Sequence, residues 1–485
     1  MTRPVSIVWF RRDLRVEDNP ALQAASKRGA VVPAYVADAS ADGSGDDWRP
    51  GAASRWWLHH SLTALSETLE SVGSPLVIAA GEPANALGRL AREAGATAVY
   101  WNKRYEPAER SAEERVAKAL RAAGIETTGF HGSLLFDPDS LRTGAGEPYK
   151  VFTAFWKACL ALPSPLGPAP PPRGLESPAV RPRSLNIGEL ELLSRVDRAA
   201  GFRGRWRPGE TNARDSLGAF LSGAVESYAT GRDRPDLRGT SRLSPHLHFG
   251  ELSPRRVWHD SMRTIDRGGA KDPTMGAETF LKEVGWREFA HHLLYHYPHT
   301  VTAPLRPEFA SFPWRQDQEC LEAWRRGTTG YPIVDAGMRE LWTSGWMHNR
   351  VRMVAASFLV KDLLIHWLEG ARWFWDTLVD ADLPNNTLGW QWTAGCGADA
   401  APFFRVFNPV MQGEKFDPDG DYVRRWIPEI GKLPPKWIHR PWQAPSDALD
   451  GAGIRLGETY PLPIVDHFAA RDRALEAFAA IQKGE

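Results

Sequence analysis

Residues 161–185 read ALPSPLGPAPPPRGLESPAVRPRSL. Proline fixes φ and removes a backbone donor, so such a run can build neither a long helix nor a sheet interior. It reads as part of a surface linker, and it divides a chain of 485 residues that is too long for one hydrophobic core. The apolar spacing differs on its two sides. Ahead of it, Ser6–Phe10, Val31–Val36, Leu76–Ala80 and Ala98–Trp101 are short apolar runs that read as buried parallel strands. Helical patterns fill the gaps between them. Asn19-Pro20 offers an N-cap followed by a first-turn proline, Gly29 closes that helix, and a second runs from about Ser54 to Gly73. This alternation predicts an α/β domain with a doubly wound parallel sheet over residues 1–130, followed by a linker over 131–205. From 206 to 485 the pattern is helical, with candidates at Thr274–Tyr297, Ile333–Thr343, Asn349–Leu368 and Asp466–Gln482, and predicts an all-α domain.

Composition removes several function classes. Lys+Arg and Asp+Glu are both 59. A net charge of zero leaves room for a local basic face, but it predicts modest, salt-sensitive non-specific binding to nucleic acid. Cys159, Cys320 and Cys396 are far apart, which argues for a reducing compartment and against a cysteine-based zinc site; no metal is expected. The opening residues lack the form of a signal peptide and no apolar run is long enough to span a bilayer. The expectation is a cytoplasmic protein, a monomer with no membrane association and no obligate protein partner. No GxGxxG follows the first strand, and GxSxG, Walker A and HExxH runs are missing. The 21 tryptophans exceed what packing ordinarily needs. Most read as core, and a minority as base-stacking platforms or electron carriers.

Four segments could carry chemistry. Asn349 and Met353 share a helix face, an amide beside a thioether, which suits a flat heteroaromatic ligand or else one surface and one core position. Glu283, Trp286 and Arg287 fall at i, i+3 and i+4, able to contact a base edge, stack on it and hold a phosphate, or simply to form a surface ion pair beside a core indole. Gly239-Thr240-Ser241-Arg242-Leu243-Ser244-Pro245 is a hydroxyl-rich loop entering a helix, either an anion site or an ordinary cap. Asp380 to Asn386 puts two carboxylates and two amides ahead of Trp390-Gln391-Trp392, as a solvated turn or as buried groups needing partners, with Arg352 a candidate partner. His291-His292 lies within a helix without further metal-ligand spacing and reads as structural, and Gly451-Ala452-Gly453 as a turn.

Together these segments resemble the photolyase/cryptochrome family from VWFRRDLRVEDNPAL to GEKFDPDGDYVRRWIPE, most specifically in GTSRLSPHLHFGELSP, TGYPIVDAGMRELWTSGWMHNRVRM and DLPNNTLGWQW. WWLHHSL and SPHLHFGELSP look most like the bacterial class III branch. The resemblance implies an α/β antenna domain, a linker and an all-α FAD-binding domain. It implies flavin binding by Tyr228, Thr240, Ser241, Arg242, Leu243, Ser244, Arg352, Asp380, Asp382 and Asn386. Asn386 matches the residue facing flavin N5, where plant cryptochromes carry Asp. Trp390, Trp367 and Trp314 match the electron-transfer triad. Glu283, Trp286, Asn349, Met353 and Trp392 match the pocket for a cyclobutane pyrimidine dimer, with Arg287 and Arg350 added to the DNA-binding set. Photolyases flip the lesion out of the duplex. Trp286 and Trp392 would pack against it, while Glu283 and Asn349 bond its base edges and stabilise its radical anion. The implied activity is light-driven repair of ultraviolet-damaged DNA by an electron from excited reduced FAD, with a blue-light cryptochrome photoreceptor as the alternative. Glu109 matches a folate contact of class I enzymes, but Ala108 and Val301-Thr302 depart from that site. Methenyltetrahydrofolate held differently is the expected antenna, with a deazaflavin as the alternative.

Overall fold

The computed structural model describes residues 3–38, 48–193, 200–266, 273–400 and 404–482; part of the expected linker, 194–199, lies outside the described residues. Strands β1 (Val5–Phe10), β2 (Ala30–Ala37), β3 (Val77–Ala80), β4 (Ala96–Asn102) and β5 (Glu126–Phe130) form one sheet in the order β3-β2-β1-β4-β5. All pairings are parallel, with Ile7 opposite Val32 on one side and Val99 on the other. The intervening helices are α1 (Pro20–Arg28), α2 (Ala52–Ser71), α3 (Pro83–Ala94) and α4 (Pro107–Ala122). Asn19 caps α1 by accepting from Leu22 N at 3.0 Å, and Pro20 opens it. Ile7, Trp9, Val32, Val99 and Trp101 form a core with Leu87 and Leu90 of α3 and Val116 and Leu120 of α4. The strand order reverses at β1 and β4, the crevice where doubly wound sheets place ligands.

The proline-rich segment is pinned rather than loose. Residues 162–186 contain no helix or strand, yet Leu175 N donates to Val72 O at 2.7 Å, Val31 N to Glu176 O at 2.8 Å and Leu185 N to Ile78 O at 2.9 Å. Ser184 Oγ accepts from Ile78 N at 2.9 Å, so the edge strand β3 gains partners from the linker.

The remaining helices of nine residues or more are α5 (Phe152–Ala161), α6 (Glu210–Leu221), α7 (Pro254–Asp266), α8 (Pro273–His296), α9 (Gln318–Arg326), α10 (Pro332–Ser344), α11 (Asn349–Ser357), α12 (Trp367–Thr377), α13 (Leu383–Ala394) and α14 (His467–Gln482). Packing groups the chain differently from periodicity. One compact unit holds 1–226, 241–298 and 379–382; the other holds 227–240, 299–378 and 383–485. Helices α5 to α8 thus belong with the sheet. The helix expected over Asn349–Leu368 is not continuous. It leaves α-geometry in a π-turn at Phe358–Asp362, Leu364 adopts φ 54°, and His366 Nδ1 accepts from Leu368 N at 3.1 Å to cap α12. No described helix is long and apolar enough to cross a membrane.

Candidate active site

In the first unit, α8 carries Glu283 and Trp286, both half-buried. The Trp286 indole stacks on Phe152 of α5 with centroids 3.8 Å apart and planes 10° apart. A Cβ on Gly285 would lie 2.6 Å from the Trp156 ring, so glycine is what lets α5 and α8 approach. This contact fixes one face of Trp286. Arg287 points elsewhere: it is 9% exposed, donating to Glu288 Oε1 at 3.1 Å and Ser133 O at 3.2 Å. One donor on each of its terminal nitrogens therefore serves the interior. Glu288 accepts from Leu135 N at 2.8 Å and Phe136 N at 3.2 Å, and burial pushes its carboxyl up to about 7 against the pull of Arg287.

The hydroxyl-rich loop enters the short helix Ser244–His248. Arg242 adopts φ 53°, an unusual conformation for a residue with a side chain, and Leu243 N donates to Ser241 Oγ at 3.4 Å. Thr240 and Tyr228 belong to the second unit, and Tyr228 is buried there. Just after the loop, His246 pairs with Glu251, which also accepts from Trp57 Nε1 at 3.1 Å and Gly209 N at 2.7 Å. These bonds anchor the loop's helix to α2 and the start of α6.

Asp380 and Asp382 are buried in the same unit. Asp382 Oδ2 lies 3.2 Å from His248 Nδ1. One ligand-capable atom from each of Asp382, His291 and Glu106 lies within 4.8 Å of the others. Burial would raise the Asp382 carboxyl, but His291, His248 and Arg287 together hold it well below the carboxylate range. Glu106, likewise opposed by burial, is held down to about 2 by Arg104 and Arg12. Burial lowers His291 to about 4, so its ring is neutral at pH 7. The two arginines already provide the positive charge that a cation would bring, so the cluster is a charge network. Glu106 and His248 escaped the sequence reading because their partners are distant in the chain; the only local hint for Glu106 was its place after a central strand.

In the second unit, Asn349 opens α11 and is exposed, and Met353 is half-buried one turn on. Arg350 donates to Asp233 Oδ1 at 2.7 Å and 3.3 Å and its guanidinium lies 4.5 Å from the Phe416 ring centroid. Arg352 Nε donates to Met347 O at 2.7 Å. Asn386 of α13 is half-buried, and its Nδ2 donates to Ala371 O at 3.0 Å, which turns Oδ1 the other way as an acceptor. Trp392 is half-buried on the same helix, while Trp390 is 2% exposed. Trp390 packs edge-on against Phe374 at 5.0 Å and Trp324 at 6.1 Å. Trp367 is fully buried, and His366 stacks on it at 5.6 Å while meeting Trp314 at 5.1 Å. An imidazole thus contacts two of the three tryptophans of the expected electron path, which the sequence reading did not foresee. Beside Glu109, Arg11 Nη1 lies at 3.3 Å.

Residues 6–174 match the family described as DNA photolyase, and residues 280–480 match the FAD binding domain of DNA photolyase. The chain is 50% identical over 484 residues to a deoxyribodipyrimidine photo-lyase of Agrobacterium fabrum, covering 99% of each protein. It is 41% identical to cryptochrome-1 of Arabidopsis thaliana, covering 98% of this chain and 70% of that protein. Among solved structures, a bacterial class III photolyase from Agrobacterium tumefaciens superposes with a TM-score of 0.94 at 50% identity, covering 100% of this chain and 98% of that one.

Proposed function

The chain belongs to the DNA photolyase and cryptochrome family, and from that membership we propose that it is a deoxyribodipyrimidine photo-lyase that repairs cyclobutane pyrimidine dimers in ultraviolet-damaged DNA. The full-length identity of 50% to a photolyase carries this reading over the photoreceptor one.

The chain carries the family's FAD-binding domain, and its donor set suits that group. Ser241 and Ser244, with Thr240, offer hydroxyls for a pyrophosphate beside the strained Arg242 backbone. Asp382, whose carboxyl lies well below the usual range, is an acceptor for a ring N–H. Asn386, with Nδ2 donating to Ala371 O, would offer its oxygen as an acceptor for a protonated flavin N5. Tyr228, Leu243, Arg352 and Asp380 complete the proposed flavin set. When bound and reduced, FAD supplies under blue light the electron that opens the cyclobutane ring and receives it back.

The residues then divide the work. Trp286 and Trp392 pack against the flipped dimer, and stacking of this kind contributes roughly 1–3 kcal/mol per base. Glu283 and Asn349 bond the base edges, and Met353 fills the face beside Asn349. Trp314, Trp367 and Trp390 carry an electron inward to reactivate oxidised enzyme. Arg350 reaches DNA only by sharing its guanidinium with Asp233. Methenyltetrahydrofolate is the proposed antenna, in a site other than the class I one, because Ala108 and Val301-Thr302 replace polar groups there.

The test is chemically reduced holoprotein with a dimer-containing oligonucleotide, in light and in darkness. Dimer loss only in light is expected. No light-dependent repair, alongside a normal flavin spectrum, would leave the photoreceptor reading in its place.

A further inference from the structure

Lys361 lies in the π-turn Phe358–Asp362 and is 1% exposed. Single π-turns inserted into helices are rare and often mark functional positions. Its Nζ donates to Ala394 O at 2.7 Å and lies 2.9 Å from the centroid of the Phe404 ring. These partners are a carbonyl and a ring, not a carboxylate, and burial drives the ammonium well below its usual range. Burying a lysine this way is costly, and a methionine would fill the same space more cheaply. What the amine adds is direction. Ala394 is the last residue of α13, where carbonyls have no partner within the helix. It lies two residues beyond Trp392, and the chain then turns through Gly395 at φ 90°. On the helical turn before Lys361, Ser357 Oγ accepts from Phe407 N at 3.3 Å. Ser357, Lys361, Trp392, Phe404, Arg405 and Phe407 all line one small cleft. Two polar tethers from one segment thus hold the end of α13 and the chain at Phe407, beside the cleft that Trp392 also lines.

We propose that Lys361 and Ser357 are positioning residues for lesion recognition, fixing the end of α13 and the chain beyond it so that the Trp392 indole is held ready for the extruded dimer. The inference rests on the reading of Trp392 as a lesion-packing ring. It assigns Lys361 no contact with flavin or DNA.

The experiment is a double-mutant cycle on full-length holoprotein, using K361M, S357A and W392A. For each variant, flavin content, affinity for a dimer-containing and an undamaged oligonucleotide, and repair per bound dimer are measured. K361M is expected to weaken dimer binding by roughly tenfold and S357A by roughly threefold, with affinity for undamaged DNA, flavin content and repair per bound dimer unchanged. In the W392A background either change should cost less than about twofold, because its effect passes through that ring. Unchanged dimer affinity in both single variants, or full additivity with W392A, overturns the proposal. Should K361M lose its flavin, S357A and its cycle with W392A decide by the same criteria. W392A with normal dimer binding would instead remove the lesion role of Trp392, and this inference with it.

Discussion

At the scale of single residues, the pairs one helical turn apart were legible in sequence and the long-range partners were not. Asn349 with Met353, and Glu283 with Trp286, are fixed by helical spacing alone. That Trp286 gives one face to Phe152, or that Arg287 donates to Ser133 O, depends on residues more than 130 positions away, on which local spacing is silent. Glu283 is half-buried on α8 and its role is proposed to be a bond to the dimer rather than support of the flavin. E283A should therefore lower repair quantum yield by roughly tenfold or more while leaving flavin content unchanged; flavin loss at constant yield per bound cofactor would show a structural role instead. Trp367 differs, since it is fully buried and stacked by the His366 ring. W367F should slow photoreduction of oxidised enzyme at least tenfold, read by flash absorption, and spare repair by chemically reduced enzyme. Equal photoreduction rates would take Trp367 off the electron path.

At the scale of elements, those with caps and continuous apolar runs were legible. Asn19-Pro20 and Gly29 bounded α1 correctly, and four apolar runs gave β1 to β4. β5 reads ETTGF, half-buried at the sheet edge, and an edge strand has no need of the apolar run that betrays a central one. The π-turn that splits the helix expected over Asn349–Leu368 also left no local signal, because no proline or glycine marks it. Between α8 and the segment at Leu135-Phe136, Glu288 makes a pH-dependent joint. Its carboxyl is raised to about 7 by burial, so the folded protein retains a proton there that the unfolded chain releases near pH 4.5. This group's contribution to stability is complete below about pH 4.5 and falls away as pH rises to 7. E288Q cannot ionise and keeps an acceptor for the two N–H groups. The melting temperature of E288Q minus that of the wild type should thus increase between pH 5 and pH 8, by roughly 1–3 °C. A difference that stays flat would mean Glu288 is ionised throughout that range.

At the scale of the whole molecule, charge decides how DNA is found and chemistry decides where it is held. With 59 basic and 59 acidic residues the chain has no net field to draw DNA over long range. Two of the basic groups expected at the nucleic acid are also engaged, Arg287 with Glu288 and Arg350 with Asp233. Few counterions should therefore be released on binding, and undamaged duplex should be held weakly. The contacts proposed for the lesion are of another kind: two indoles, an amide, a carboxyl and a thioether, with base flipping favoured where a dimer has already weakened the stack. Of these five groups, only Glu283 has a charged form. Plots of log affinity against log salt for damaged and undamaged duplex should then run parallel, each with a shallow slope of about −3 to −4 rather than the roughly −10 of a strongly basic binder. Titration by fluorescence anisotropy from 50 to 200 mM salt would measure both lines. Their vertical separation is the non-ionic discrimination, and it should hold constant across that range. A lesion line steeper by a full unit or more would mean that dimer binding recruits further phosphates, so that discrimination would be partly electrostatic and the stacking pocket would no longer account for it alone.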